Sequence, residues 1–179
     1  TDSLSDLQRE LMNSLKEPVL YTPGDNEWRD CIDKTKGESF NLERLAYIRK
    51  TYFSNNRTLG RKSSIVENQS MLGFPENARL INDNVAFITA HVVGENNNFD
   101  PMSKQNTLEY LERDSANIAW IKERFKRYKD ASAFVVVTHA NIFDKKITPD
   151  LNYRKFAYRR FANALSELSN KYKKPVLSL

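Results

Sequence analysis

Three stretches of the chain carry side chains of catalytic type, each where an apolar run gives way to polar residues. Pro18-Val19-Leu20-Tyr21 opens into Gly24-Asp25-Asn26-Glu27. The run Val85 to Val93 contains His91 and opens into Gly94-Glu95-Asn96-Asn97-Asn98. Ala133 to Thr138 ends at His139, followed by Asn141 and Asp144. In α/β proteins, ligands bind at the carboxyl ends of strands. Both histidines of the chain fall at or near such ends. Carboxylate, carboxamide and imidazole together suit a divalent zinc, iron, manganese or magnesium ion, and a single cysteine excludes a thiolate cluster. A shared metal or substrate site at these three ends is the expectation.

Other chemistries fit less well. Neither Gly-x-Gly-x-x-Gly nor the Walker phosphate loop occurs, so nucleotide binding by those routes has no support. There is no nucleophile elbow. Cys31 reads as a structural thiol, because free cysteine behaves as a small buried hydrophobe.

The elements that must position these residues follow from periodicity. Leu4, Leu7, Leu11 and Leu15 predict a helix over 3–15 that stops before Pro18. Val19 to Thr22 reads as a short buried strand. A second helix is expected over 40–53, with Ser39 or Asn41 as cap. Residues 55–84 are polar, with short strands expected near Ile65 and Leu80. The run 85–93 reads as a strand buried on both faces. A long amphipathic helix over 107–129 turns Leu108, Leu111, Ile118, Ile121 and Phe125 inward. After the strand at 133–138, a helix over 150–172 buries Phe161, Leu165, Leu168 and Tyr172, and Pro175 to Leu179 begins a last strand. This alternation predicts one α/β domain over residues 1–179, with a largely parallel sheet.

Composition sets the outer bounds. The chain has 179 residues, 40% hydrophobic and 28% charged, enough for one globular domain with a real core. No run approaches the roughly 20 apolar residues of a membrane span. The net charge of +5 is spread over clusters such as 124–127, 158–160 and 171–174, which read as solvated helix faces rather than a nucleic-acid surface.

The first motif, Tyr21-Thr22-Pro23-Gly24-Asp25-Asn26-Glu27-Trp28 with Asp30-Cys31, resembles the calcineurin-like metallophosphoesterase superfamily, in the branch that carries Gly-Asp-Asn-Glu-Trp. The resemblance extends through Leu42-Glu43-Arg44-Leu45-Ala46 with Arg49, Pro75-Glu76-Asn77-Ala78-Arg79, His91-Val92-Val93-Gly94 with Asn96-Asn97, and Asn117 to Trp120. It implies part of a four-layer α-β-β-α sandwich. It also implies two divalent metals (Mn, Fe, Zn or Mg) that activate a bridging hydroxide to attack a phosphorylated substrate. Metal binding lowers the pKa of water from about 15.7 toward roughly 7.

Under that resemblance Asp25 and His139 ligate the same metal. Asn26 takes the catalytic position where the superfamily places a proton-donating His; an amide can hydrogen-bond a phosphate oxygen but cannot act as a general acid. His91 and Asn97 are candidates for substrate contact, with a structural role for His91 equally open. The superfamily's Asp-x-His motif and its closing His motif lie outside these residues. The chain therefore reads as the central portion of a longer domain, with little hydrolase activity alone. The alternative is a non-catalytic binding module on the same fold, with Trp28 and Arg29 as its first candidate surface.

Overall fold

The structure is a computed structural model that describes residues 2–31, 40–143 and 156–179. Asp144, the Ser39 cap and the start of the helix expected from 150 lie outside the described residues.

Helix α1 (Asp2–Ser14) leads through an extended stretch to the Gly24–Asp30 turns, and α2 (Phe40–Tyr52) follows. Strands β1 (Glu67–Gln69), β2 (Phe74–Asn82) and β3 (Val85–Thr89) form an antiparallel meander. Asp83 and Asn84 connect β2 to β3 with φ of 47° and 62°. Two residues at positive φ make the tight hairpin turn whose twist matches the strands, and Asp and Asn tolerate that conformation. Beyond β3 the chain makes a single helical turn, α3 (Gly94–Asn97), and then the long α4 (Lys104–Arg127). Ser103 caps α4 by accepting a hydrogen bond from the Asn106 N–H. Strand β4 (Ala133–Val137) pairs parallel to β3, and β5 (Val176–Ser178) pairs parallel to β4 after α5 (Arg159–Tyr172).

The result is a mixed α/β fold with one five-stranded sheet in the order β1-β2-β3-β4-β5. The sheet is antiparallel in its first half and parallel in its second. The expected largely parallel sheet is thus corrected: the polar stretch 67–82 pairs through a hairpin instead of a helical crossover. Val19 to Thr22 does not form a strand either. Val19 makes one isolated bridge, to Leu59.

One face of the sheet carries the main core. Ala86, Ile88, Phe134 and Val136 pack against Trp120, Ile121 and Phe125 of α4 and Phe161, Leu165 and Leu168 of α5. Phe125 and Phe134 stack with ring centroids 3.9 Å apart. The opposite face is different. The registered row Leu80, Phe87, Val135 and Leu177 is apolar, yet the first three are half-buried and Leu177 is exposed. A second cluster of Trp28, Leu45, Ile48, Tyr52 and Val93 joins the first turn motif to α2.

Amphipathic patterns located the helices but misjudged two faces. Leu4, Leu7, Leu11 and Leu15 are exposed, and α1 contacts the body through Met12 and through polar groups, with Tyr52 Oη donating to Ser5 O and Gln8 Oε1. In α4, Leu108 and Leu111 are exposed while Arg113, Asp114 and Asn117 are buried.

Candidate functional site

The Asp25 turn and the end of β4 meet, beside Gly94. Ala90 N–H donates to Val137 O, and the N–H groups of His139 and Ala140 both donate to Val92 O. These bonds extend the β3–β4 pairing past the regular strands and set His139 beside Gly94. From the other side, the Asp25 carbonyl accepts from Trp28 and Asp30, closing turns that hold Asp25 over the same point. Glu27 Oε2 accepts from Gly24 N–H at 2.9 Å, a local cap on the turn. His139 Nε2 and Asp25 Oδ1 then stand 3.6 Å apart.

Two glycines make this approach possible. A Cβ on Gly24 would lie 2.6 Å from His139 Cδ2 and 2.7 Å from its Nε2. A Cβ on Gly94 would fall inside the Asp25 carboxylate. Neither glycine has a positive φ, so each is required for space rather than for backbone freedom. The Gly94→Ala variant is expected to lose about 1–3 kcal/mol through overpacking and to push Asp25 away from His139. Urea unfolding together with a crystal structure of the variant checks this; unchanged stability with Asp25 in place would refute the packing argument.

The pair suits a divalent cation in chemistry and separation. Two ligands of a tetrahedral zinc, each about 2.1 Å from the ion, lie about 3.4 Å apart, close to the 3.6 Å seen. That distance is long for a hydrogen bond. The surroundings are anionic: burial, then the charges of Asp25 and Glu95, push the Asp30 carboxyl above its ordinary pKa despite the neighbouring Arg29. One contact opposes ligation. Gly94 N–H points at His139 Nδ1 from 3.4 Å, which favours the proton on Nε2. Among the described residues, no third His, Cys, Asp or Glu joins the pair in a metal-binding group. Asn26 lies exposed beside Asp25, its N–H donating to Asp25 Oδ1 at 3.0 Å.

His91 and Asn97 do not line this opening. Both are fully buried. His91 Nδ1 lies 2.9 Å from Glu76 Oε1. Burial depresses the pKa of His91 against the opposing pull of Glu76, so the ring is neutral and Nδ1–H donates. Glu76 is also fully buried. Burial alone would raise its pKa, but the His91 hydrogen bond and the Arg49 guanidinium hold it at about 2. Arg49 reaches it through Nε and Nη2 at 2.6 to 3.2 Å.

Asn97 Oδ1 accepts from Val93 N–H and from Arg113 Nη1. Arg113, itself fully buried, donates to His91 O and Asn97 Oδ1 at 2.6 Å and to Asn97 O at 3.0 Å, and it pairs with Glu109. Asn117 Nδ2 also donates to His91 O.

This buried network supports an unusual turn. Glu95, Asn96, Asn97 and Asn98 all have φ between 47° and 64°. Left-handed backbone costs an L-residue roughly 1–2 kcal/mol, less for Asn, which supplies three of the four. Side-chain and tertiary bonds hold the turn: Ala157 N–H donates to Asn96 Oδ1, Tyr158 Oη donates to Val93 O, and Asn98 Nδ2 donates to Glu109. The turn begins at Gly94, where the Asp25 carboxylate packs. Strain of this kind is commonly kept at functional sites.

Sequence reasoning missed Glu76 and Arg113 as supports, because a charge on a helix or in a polar stretch reads as solvated. The same bias affected Arg124, which is buried against Glu67 with its guanidinium 4.3 Å over the Trp120 ring. Trp28 was the first candidate for a partner surface; it has no exposed area and packs against His91 with ring centroids 5.6 Å apart. No family model matches the chain, and no curated protein or solved structure is significantly similar to it.

Proposed function

We propose that this chain is part of a metal-dependent phosphoric ester hydrolase of the calcineurin-like type, in which Asp25 and His139 are ligands of one divalent ion. The observation that carries this reading is the 3.6 Å approach of Asp25 Oδ1 and His139 Nε2, brought about by a turn and a strand end distant in sequence that the resemblance pairs at one metal. The apolar row Leu80, Phe87, Val135 and Leu177, half-buried to exposed, supports the four-layer architecture. Such a face calls for a second sheet packed about 10 Å away.

Bound metal would supply an activated water and neutralise phosphate charge. The residues of this chain have simpler tasks. Asp25 contributes an anionic oxygen, held by its turn and seated over Gly94. His139 contributes Nε2, which requires its proton on Nδ1; the long Gly94 contact is what opposes that tautomer. Asn26 can donate an amide hydrogen bond to a phosphate oxygen but offers no proton to a leaving group. Two ligands among the described residues bind metal weakly compared with a fuller set.

The second reading, a non-catalytic module on the same fold, draws on the amide at Asn26 and on the missing third ligand among the described residues. Calorimetric titration with Zn²⁺ or Mn²⁺ is expected to show weak, saturable binding at one site, reduced at least tenfold in Asp25→Asn and in His139→Gln. Equal metal binding by wild type and both variants removes Asp25 and His139 from any metal site. A metal-loaded form carrying the missing motifs that hydrolyses neither phosphomonoesters nor phosphodiesters would favour the binding module.

A further inference from the structure

A polar cleft of about 220 Å³ lies between α1, the end of α2 and the loop 54–63. Its wall includes Arg9, Asn13, Thr51, Asn55, Arg57 and Ser63, and no lining residue is acidic. We propose that this cleft binds a small soluble oxyanion of the phosphate class, independently of the strand-end site.

The argument is one of donors and acceptors. Most side-chain acceptors in the wall already take one hydrogen bond from within the fold. Asn13 Oδ1 accepts from Gly60 N–H at 3.3 Å, and Asn55 Oδ1 accepts from Arg57 N–H at 3.0 Å. Thr58 Oγ1 accepts from Ser64 N–H at 2.9 Å, and Ser63 Oγ accepts from Arg57 Nε at 2.8 Å. The Thr51 carbonyl, at the C-terminal end of α2, is covered by Arg9 Nη1 at 3.4 Å. An amide whose oxygen is taken has its NH₂ left to offer, and a hydroxyl that accepts still has its hydrogen. The cleft therefore presents donors: the two carboxamide NH₂ groups, the Ser63 hydroxyl and the remaining guanidinium N–H groups.

Arg9 Nε is buried and has no hydrogen-bond partner. An acceptor-only anion suits a wall of donors that holds two guanidinium groups, through charge-assisted hydrogen bonds. A neutral sugar or peptide brings donors that the wall has few acceptors to meet. The carbonyl dipole at the end of α2 opposes an anion, but two guanidinium charges outweigh a partial charge that Arg9 already covers.

The test is titration of the metal-free chain, in EDTA, with inorganic phosphate, read by calorimetry and by the amide shift of Gly60. Wild type is expected to bind one phosphate, with sulfate competing and chloride not. Asn13→Asp keeps the oxygen that accepts from Gly60 and replaces the NH₂ by a second anionic oxygen. It leaves the fold intact and is expected to weaken phosphate at least tenfold, as is Arg9→Gln. Asp25→Asn, in the other site, is expected to bind phosphate as wild type does. Absence of saturable binding in wild type overturns the proposal. So does undiminished binding in Asn13→Asp and Arg9→Gln, or loss of binding in Asp25→Asn, which would move the anion to the strand ends.

Discussion

Glu76→Ala is expected to lose about 3–5 kcal/mol of folding stability, because it leaves the half-buried guanidinium of Arg49 and the fully buried Nδ1–H of His91 without their acceptor. That is a large part of the roughly 5–15 kcal/mol by which domains are stable. The pair also makes stability pH-dependent in a definite direction. The Glu76 pKa falls from 4.5 unfolded to about 2 folded, so its contribution is complete above 4.5 and is lost as pH falls toward 2. His91 acts in the same sense: its folded pKa lies below the ordinary 6.5, and stability falls as pH drops through that value and the unfolded imidazole charges. Urea unfolding at pH 7, 5 and 3 checks the assignment. Wild type should lose stability steeply between pH 5 and 3, and Glu76→Gln should lose much less. Parallel curves for the two proteins would show that Glu76 is not the ionised acceptor.

Arg113→Met is expected to be comparably severe, at about 3–5 kcal/mol, with a local signature of its own. The variant keeps an unbranched apolar side chain in place of the buried stem. It deprives His91 O, Asn97 Oδ1 and Asn97 O of the guanidinium that joins them. Asn97 belongs to the left-handed turn, so the turn loses a principal restraint and its strain favours relaxation. Amide hydrogen exchange is expected to accelerate across residues 93–98 far more than in β4. Arg113→Lys restores the charge but not the planar fork, and should recover only part of the loss. If exchange at 93–98 rises no more than in the rest of the sheet, Arg113 is a general core support with no particular hold on the turn.

The sequence made the helices and core strands readable where periodicity and burial agree. The pattern over 133–138 became β4, the 85–93 run gave β3 and its extended continuation, and Phe161, Leu165 and Leu168 face inward on α5 as spaced. It misled where a single residue class has two physical uses. The leucines of α1 define a helix but not the direction of its apolar face, which tertiary contacts through Gln8 and Ser5 decide. Leu108 and Leu111 are exposed on α4, while Arg113, Asp114 and Asn117 on the same helix are buried. The convergence of Asp25 and His139 was readable because both follow apolar runs ending in turn residues. The burial of His91 and Asn97 was not, because their partners Glu76, Arg49 and Arg113 lie far off in sequence and pair only once the sheet exists.

A bonded layer, Arg49 to Glu76 to His91 with Arg113 on the His91 carbonyl, ties α2, which carries the second hydrophobic cluster, to the sheet that carries the first. Two greasy surfaces pressed together can slide by a residue and lose little. A surface studded with directional bonds cannot, since a slip breaks every one of them together. The layer therefore works as an index pin between α2 with its turn motif on one side and the sheet on the other. It fixes the offset at which Asp25, carried by one block, meets His139, carried by the other.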